Sequence, residues 1–249
     1  MSLPRGWIVP DWPAPPSLRA FSTTRPGGVS EGEYGSLNLG LSSGDDPARV
    51  ARNRALVRRH LPGDPRWLRQ VHGIVVADLD TLEAGEVAQA DAAAVSLPGV
   101  VAAVLTADCL PVVLGRADGA RIAVAHAGWR GLSAGVLEAS VEALGGDPGE
   151  ALAWLGPAIG PEAFEVGPEV REAFLDADGG AVGAFLPHGT GKYLADLYAL
   201  ARRRLARAGV GKVHGGGRCT RSEPEAFFSY RRARSSGRQG TFAWIAPPG

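Results

Sequence analysis

The sequence is poor in the residues that announce specialised architectures. It holds two cysteines and one methionine in 249 residues. Cys109 and Cys219 lie far apart in unlike contexts, so neither a disulfide framework nor a paired zinc-knuckle spacing is present. No run approaches the roughly 18 apolar residues of a membrane helix. A secretory leader runs from charged to apolar to small residues, and the prolines of MSLPRGWIVPDWPAPP break that order. Neither sign of charge is in excess, with Lys+Arg and Asp+Glu at 26 each. That removes the electrostatic reason to expect nucleic acid or an anionic membrane as partner. The expectation is a soluble cytoplasmic protein with reduced thiols.

What is present reads as one folded unit. The hydrophobic fraction of 45% supports a sizeable core. Strand-like and helix-like segments alternate almost end to end, with no internal repeat and no low-complexity linker. GDDPARVARNRALVRRHL reads as a helix, capped by Asp45 or Asp46 with Pro47 in its first turn. WLRQVHG and GIVVADLD read as paired strands, and VVAAVLTADCLPVVL as a central strand apolar on both faces. RIAVAHA is a further strand, followed by the helix GLSAGVLEASVEALGG, which Gly145 and Gly146 stop. PEVREAFLDA and KYLADLYALARRRLARAGV read as helices, and the stretch at Gly179 and Gly180 as a loop. Without a strict βαβ rhythm, this order favours an α/β (α+β) layered sandwich with mixed sheets, in a single domain spanning 1–249, over a doubly wound fold. Residues 1–17 read as an extended N-terminal arm.

One strand carries an anomaly. In IAVAHAGWRG, alternation puts Ile122, Val124 and His126 on one face, and a histidine ends an apolar row. On the same alternation Cys109 ends the row Val101, Ala103, Leu105 and Ala107, and His72 ends WLRQVH. One thiolate and two imidazoles suit zinc in a tetrahedral site. With three ligands apparent, a fourth position stays open for water, as in a catalytic rather than a structural site. Each residue also has a plain alternative, a hydrogen-bonded histidine or a cysteine acting as a small hydrophobe. Ligands drawn from separate strands have no diagnostic interval that decides between these readings.

The trio sits inside longer words. TTRPGGVS, SLNLG, GDDP, NR, QVHG, ADA, LTADCLPV, AHAGWRG, GPAIGP, FEVG and FFSYRR…SGRQG occur in that order. Together they resemble the YfiH family, also called the polyphenol oxidase or laccase-domain family and more recently a purine nucleoside phosphorylase family. The resemblance spans about Phe21 to Ile245. It implies a metal site at His72, Cys109 and His126, with these three as the catalytic centre. It implies a zinc-dependent enzyme that phosphorolyses adenosine, inosine, guanosine and methylthioadenosine and deaminates adenosine. Its partners would be purine nucleosides and inorganic phosphate, with no nucleic acid or membrane, and its state a monomer or small homo-oligomer. The implied fold is an α/β/β sandwich related to the catalytic domain of cytotoxic necrotizing factor, a cysteine–histidine deamidase. The laccase label is tested by counting: five histidines with no His-x-His pair cannot build a multicopper centre, though a single copper at the trio is the alternative ion.

Several residues around the trio are substrate-site candidates. Arg130 lies in the turn HAGWRGLSAG, whose amides at a helix start would form an anion site; a turn that simply needs glycine is the bland reading. Arg232 and Arg238 fall on family motif positions within FFSYRRARSSGRQG, elsewhere read as a solvated edge. Arg25 and Asn38 lie on glycine-rich loops that let backbone approach a ligand. Asp108 and Asp91 are carboxylates near the ligands, with supporting or turn-capping roles as alternatives. A second function class is a cysteine hydrolase or amidase acting on peptidoglycan precursors, with Cys109 as nucleophile and His126 or His72 as base. A third is a nucleoside- or partner-binding module without turnover.

Overall fold

The computed structural model describes residues 3–83 and 85–247. Strands run β1 Leu18–Ser22, β2 Pro65–Arg66, β3 Val76–Asp78, β4 Ala92–Val95, β5 Val101–Thr106, β6 Leu110–Gly115 and β7 Ile122–Ala127. They continue with β8 Leu152–Leu155, β9 Glu165–Val166, β10 Phe185–His188, β11 Lys192–Ala195, β12 Lys212–Gly215 and β13 Gln239–Ile245. The α-helices are α1 Pro47–Arg58, α2 Trp129–Ala134, α3 Val136–Leu144, α4 Pro168–Leu175 and α5 Leu197–Arg207.

Two mixed sheets form the centre. One has the order β1-β13-β5-β2, the other β12-β8-β6-β7-β4-β3, and a small third sheet is β10-β11-β9. Alternation along the strands decides which layer each side chain enters. Ala20, Val104 and Ala243 of the first sheet meet Val95, Val113, Ile122 and Val124 of the second in one apolar layer. The opposite face of the six-stranded sheet, through Ala94, Val112, Ala125 and Ala127, packs on Leu132, Leu137, Val141, Phe174 and Leu205 of α2 to α5. Phe21, Ala103 and Phe242 on the outside of the four-stranded sheet meet Val57 of α1 together with Leu37, Leu39 and Leu61. The layered sandwich with mixed sheets is therefore present, with helices outside both sheets.

Helix α1 starts as its sequence dictates: the Asp46 side chain accepts from Ala48 N–H, and Pro47 occupies the first turn. Elsewhere the chain departs from its local pattern. The stretch 100–115 is not one strand but two in different sheets, because β5 ends at Thr106 and Asp108 turns the chain at φ +85°. Residues 67–75, read as strand, run without regular structure up to β3. The helix after His126 breaks at Gly135, whose φ of +108° ends α2 and starts α3. Lys192–Ala195, read as the start of a helix, is strand β11, paired with β10, and Asp196 caps α5 through Ala199 N–H. The glycine-rich stretch Gly179–Ala184 is a 3₁₀ segment whose Ala181 and Ala184 enter the helical core layer. Residues 3–17 add an isolated bridge from Ile8 to Ser22, and Trp7 stacks on Phe21.

Candidate metal centre

His126 is the one member of the trio delivered as its strand pattern requires. It follows Ile122 and Val124 on the inter-sheet face of β7 and is buried. Its Nδ1 lies 2.9 Å from Asp91 Oδ1, which leaves Nε2 facing the site. Asp91 is itself fully buried, so its charge must be matched by donors. Those donors are Val71 N–H at 3.1 Å, His72 N–H at 2.8 Å and Gly73 N–H at 2.7 Å. A single carboxylate thus orients one imidazole and holds the loop that carries the other. The arrangement is that of a carboxylate–histidine–metal relay.

His72 stands on that loop rather than at a strand end, at φ +60°, a conformation uncommon outside glycine and frequent at functional sites. The preceding Gln70 fixes the loop from the other side: its amide donates to Leu105 O at 2.9 Å and accepts from Leu105 N–H at 2.8 Å. Cys109 follows Asp108, the second non-glycine residue at positive φ. Asp108 is buried; Oδ1 accepts from Thr220 Oγ1 at 2.6 Å and Oδ2 from Arg231 N–H at 2.6 Å. The strand that alternation would carry through Cys109 has already ended. The thiol enters the site because this turn is clamped from the C-terminal segment.

Three distant points of the chain converge as a result. One donor atom from each of His72, Cys109 and His126 lies within 4.8 Å of the others. Cys109 Sγ is 3.8 Å from His72 Nε2, and the two imidazole rings meet edge-to-face at 4.7 Å. The glycines of HAGWRG make this possible: a Cβ on Gly128 would stand 2.8 Å from His72 Cδ2 and 3.0 Å from Cys109 Sγ, and one on Gly131 2.7 Å from Gly73 O. The donor set, its separation and the space left by Gly128 fit a single metal ion.

The protonation states are coupled. Burial alone would raise the Cys109 thiol, but the His126 charge and hydrogen bonds from His126 and His72 hold it down at about 6. Burial disfavours the His126 cation, yet the Cys109 thiolate and the Asp91 carboxylate lift it to about 9. Burial also works against the Asp91 anion and is outweighed by the His126 hydrogen bond and the Gly73 and Val71 amides, so its pKa is lowered. These directions favour a Cys109 thiolate beside a His126 imidazolium near neutral pH when no metal is bound, and metal binding would require that proton to leave.

The substrate-site candidates divide by what their polar atoms already do. Asn38 is buried and spends its amide on Ser43, Asp45, Gly40 N–H and Arg238 N–H, so it shapes the loop. Arg25 donates to Gly35 O and Pro224 O, and Arg232 to the carbonyls of Thr220, Arg221 and Phe227. Arg130 is exposed and lies over the Trp129 ring at 4.3 Å, on a helix of six residues. Arg238 donates through Nη1 alone, to Ser236 O and Gly237 O. Sequence reasoning missed Gln70 and Thr220, whose roles depend on partners 35 and 112 residues away. Placement of Gln70 within the QVH word was the available signal.

A family described as multi-copper polyphenol oxidoreductase laccase matches residues 19–246. The chain belongs to this family, whose relatives include the YfiH proteins. It is 54% identical over 240 residues to the purine nucleoside phosphorylase YfiH of Escherichia coli, covering 96% of this chain and 98% of that one. A purine nucleoside phosphorylase of Pseudomonas aeruginosa is 51% identical over the same shares of the two chains. Among solved structures, a Neisseria meningitidis protein matches with a TM-score of 0.93 at 46% identity, over 98% of this chain and 100% of that chain. The copper in the family description and the phosphorylase in the relatives' names point to different chemistries. The donors decide in part: His60 packs edge-on against Trp7, His188 faces Glu165 and His214 lies in β12, so none of the three joins the trio. Among the described residues, the site has ligands for one ion rather than a multicopper cluster. No helix among them is long and apolar enough to cross a membrane.

Proposed function

We propose that this chain is a zinc-dependent purine nucleoside enzyme that phosphorolyses adenosine, inosine, guanosine and methylthioadenosine and deaminates adenosine. The observation that carries the reading is the convergence of Cys109, His72 and His126 with Asp91 behind His126. The phosphorylase names of relatives at about half identity support the substrate class. Zinc suits one thiolate and two imidazoles with an open fourth position, and when bound it supplies Lewis-acid chemistry.

The chain's own residues do the rest. Asp91 accepts the Nδ1 proton of His126 and so keeps the Nε2 lone pair directed inward. Gln70 and Asp91 hold the His72 loop rigid, and Asp108 fixes the turn that presents Cys109. In this reading Arg25, Arg130, Arg232 and Arg238, with the loop shaped by Asn38, are the residues that would meet substrate. The test is incubation with adenosine, with and without phosphate, separating adenine, inosine and hypoxanthine, with His72→Ala alongside. Adenine that depends on phosphate and inosine that does not are expected, and the variant should form neither. Absence of all three products with the zinc-loaded protein overturns the reading.

One observation favours a second reading. A thiol held at about 6 beside an imidazole lifted to about 9 is the ion pair of a cysteine nucleophile and its base. As a cysteine hydrolase the protein would keep its activity through chelation and lose it to alkylation of Cys109. The zinc reading expects the chelator itself to abolish activity.

A further inference from the structure

Arg238 is a half-buried guanidinium with no ion-pair partner among the described residues. Its position follows from sheet register. β13 runs antiparallel to β5 and its first residue, Gln239, stands opposite Thr106, so Arg238 enters the ladder at the end where β5 gives way to the turn that carries Cys109. The backbone there is pinned: Arg238 N–H donates to Asn38 Oδ1 at 2.8 Å, and its carbonyl accepts from Leu39 N–H at 3.0 Å. The stem lies on Gly40, where a Cβ would come within 2.7 Å of Arg238 Cγ. Only Nη1 is committed, to the Ser236 and Gly237 carbonyls, which leaves Nε and Nη2 as an unused fork.

Burial disfavours this cation, and the charges of Cys109, Asp108, Tyr230 and Tyr34 act in its favour. Yet Asp108 already has both oxygens taken by Thr220 and Arg231, and a thiolate shared with two imidazoles cannot serve as a full counter-ion. A partly desolvated guanidinium with a free fork is matched by a planar or tetrahedral oxyanion. Arg25 and Arg232 lie close enough to each other that the Arg25 charge disfavours the Arg232 cation, second only to burial. Both spend donors on carbonyls, and Arg130 sits out on α2 against Trp129.

We propose that Arg238 is the anchor of the phosphate co-substrate, holding it through Nε and Nη2 beside the Cys109 edge of the metal centre. The inference rests on the phosphorolytic reading above and assigns its anion subsite to one residue. In that reaction a phosphate oxygen bonds to C1′ of the ribose. The C1′–N9 bond breaks with its electron pair leaving on the purine, and the purine takes a proton from solvent. The products are ribose 1-phosphate and free base. Arg238 makes no bond to carbon; it fixes the nucleophile and offsets its charge.

The test uses the full-length zinc-loaded protein, wild type against Arg238→Gln and Arg238→Lys, with zinc content and thermal melting confirming that each folds. Two quantities are read: the KM for phosphate with inosine, and inorganic phosphate binding by calorimetry without nucleoside. Arg238→Gln is expected to raise the phosphate KM by at least about tenfold, with a smaller change in the inosine KM. Arg238→Lys should recover part of the loss, since it restores charge without the fork. Unchanged phosphate KM and binding in both variants overturn the assignment, as does the same loss appearing in Arg130→Ala instead. If wild type binds phosphate, Arg238→Gln does not, and neither cleaves inosine, the anchor stands and the phosphorolytic reading falls. If wild type cleaves inosine and the Arg238 variants keep its phosphate KM, the anchor falls and the reading stands.

Discussion

Cys109 and Cys219 are both free, half-buried thiols, and both are held below the ordinary thiol range. The agents differ. Around Cys109, burial is overcome by imidazoles, which can exchange a proton for a metal ion. Around Cys219, burial is overcome by the Ser222 hydroxyl and by the amides of Gly160, Ser222 and Arg221, with Gly160 N–H donating to Sγ at 3.2 Å. Amide donors stabilise a thiolate but bring no second ligand, so Cys219 pins a loop where Cys109 builds a site. Composition alone cannot separate the two; what separates them is which elements end beside each sulfur.

The comparison breaks most visibly by removing each sulfur in turn. Cys109→Ser should purify with near-background zinc by elemental analysis and without nucleoside cleavage. Cys219→Ser should keep both and shift stability by about 1 kcal/mol in a denaturant titration, the worth of one neutral hydrogen bond. Asp91→Asn tests whether the Cys109 side depends on the carboxylate behind His126. Zinc affinity should fall by about 10–100-fold in competition with a chromophoric chelator. Gly128→Ala places a methyl against His72 and Cys109. It should cost about 1–3 kcal/mol and weaken zinc, because the ligands must move to admit it.

The smallest effects concern protons. With the thiol held at about 6 and the imidazole lifted to about 9, the metal-free pair is expected to share one proton between those values. Zinc binding at pH 7.5 should therefore release about one proton from the pair, in addition to any lost by a water at the open position, read by calorimetry in buffers of different ionisation enthalpy. Stability should show almost no slope from this pair. Cys109 has a folded pKa below its unfolded value of about 8.5, so its contribution is full above that value and is lost as pH falls towards 6. His126 has a folded pKa above its unfolded value of about 6.5, so its contribution is full below that value and is lost as pH rises through 9. The two slopes oppose over the same window. A melting temperature of the metal-free protein that changes steeply between pH 6.5 and 8.5 would contradict this pairing.

How far the sequence could be read depended on whether local pattern and tertiary pairing agreed. His126 was legible because β7 continues through it, and its face follows from Ile122 and Val124. Cys109 was the right residue for an incomplete reason: alternation from Val101 fails after Thr106, and the thiol is placed by Asp108, Thr220 and Arg231. His72 was assigned to a strand end, yet its loop is placed by the Gln70 side chain pairing with Leu105 and by His72 N–H donating to Asp91, which no periodicity records. Lys192–Ala195 carries good helix formers, and its pairing with β10 and β9 overrides them. In each case the missing information was a contact between residues remote along the chain.

Gln70 has a consequence outside the site. β2 covers only Val101 and Ala102 of β5, so the main chain of Leu105 would otherwise lie open at the sheet margin. The side-chain amide occupies both of its hydrogen-bonding groups, in the manner of a strand one residue long. An unprotected margin recruits foreign strands. A residue that steadies a ligand loop thereby also leaves Leu105 no free main-chain group for a foreign strand, and Gln70→Ala is expected to increase self-association, read by light scattering.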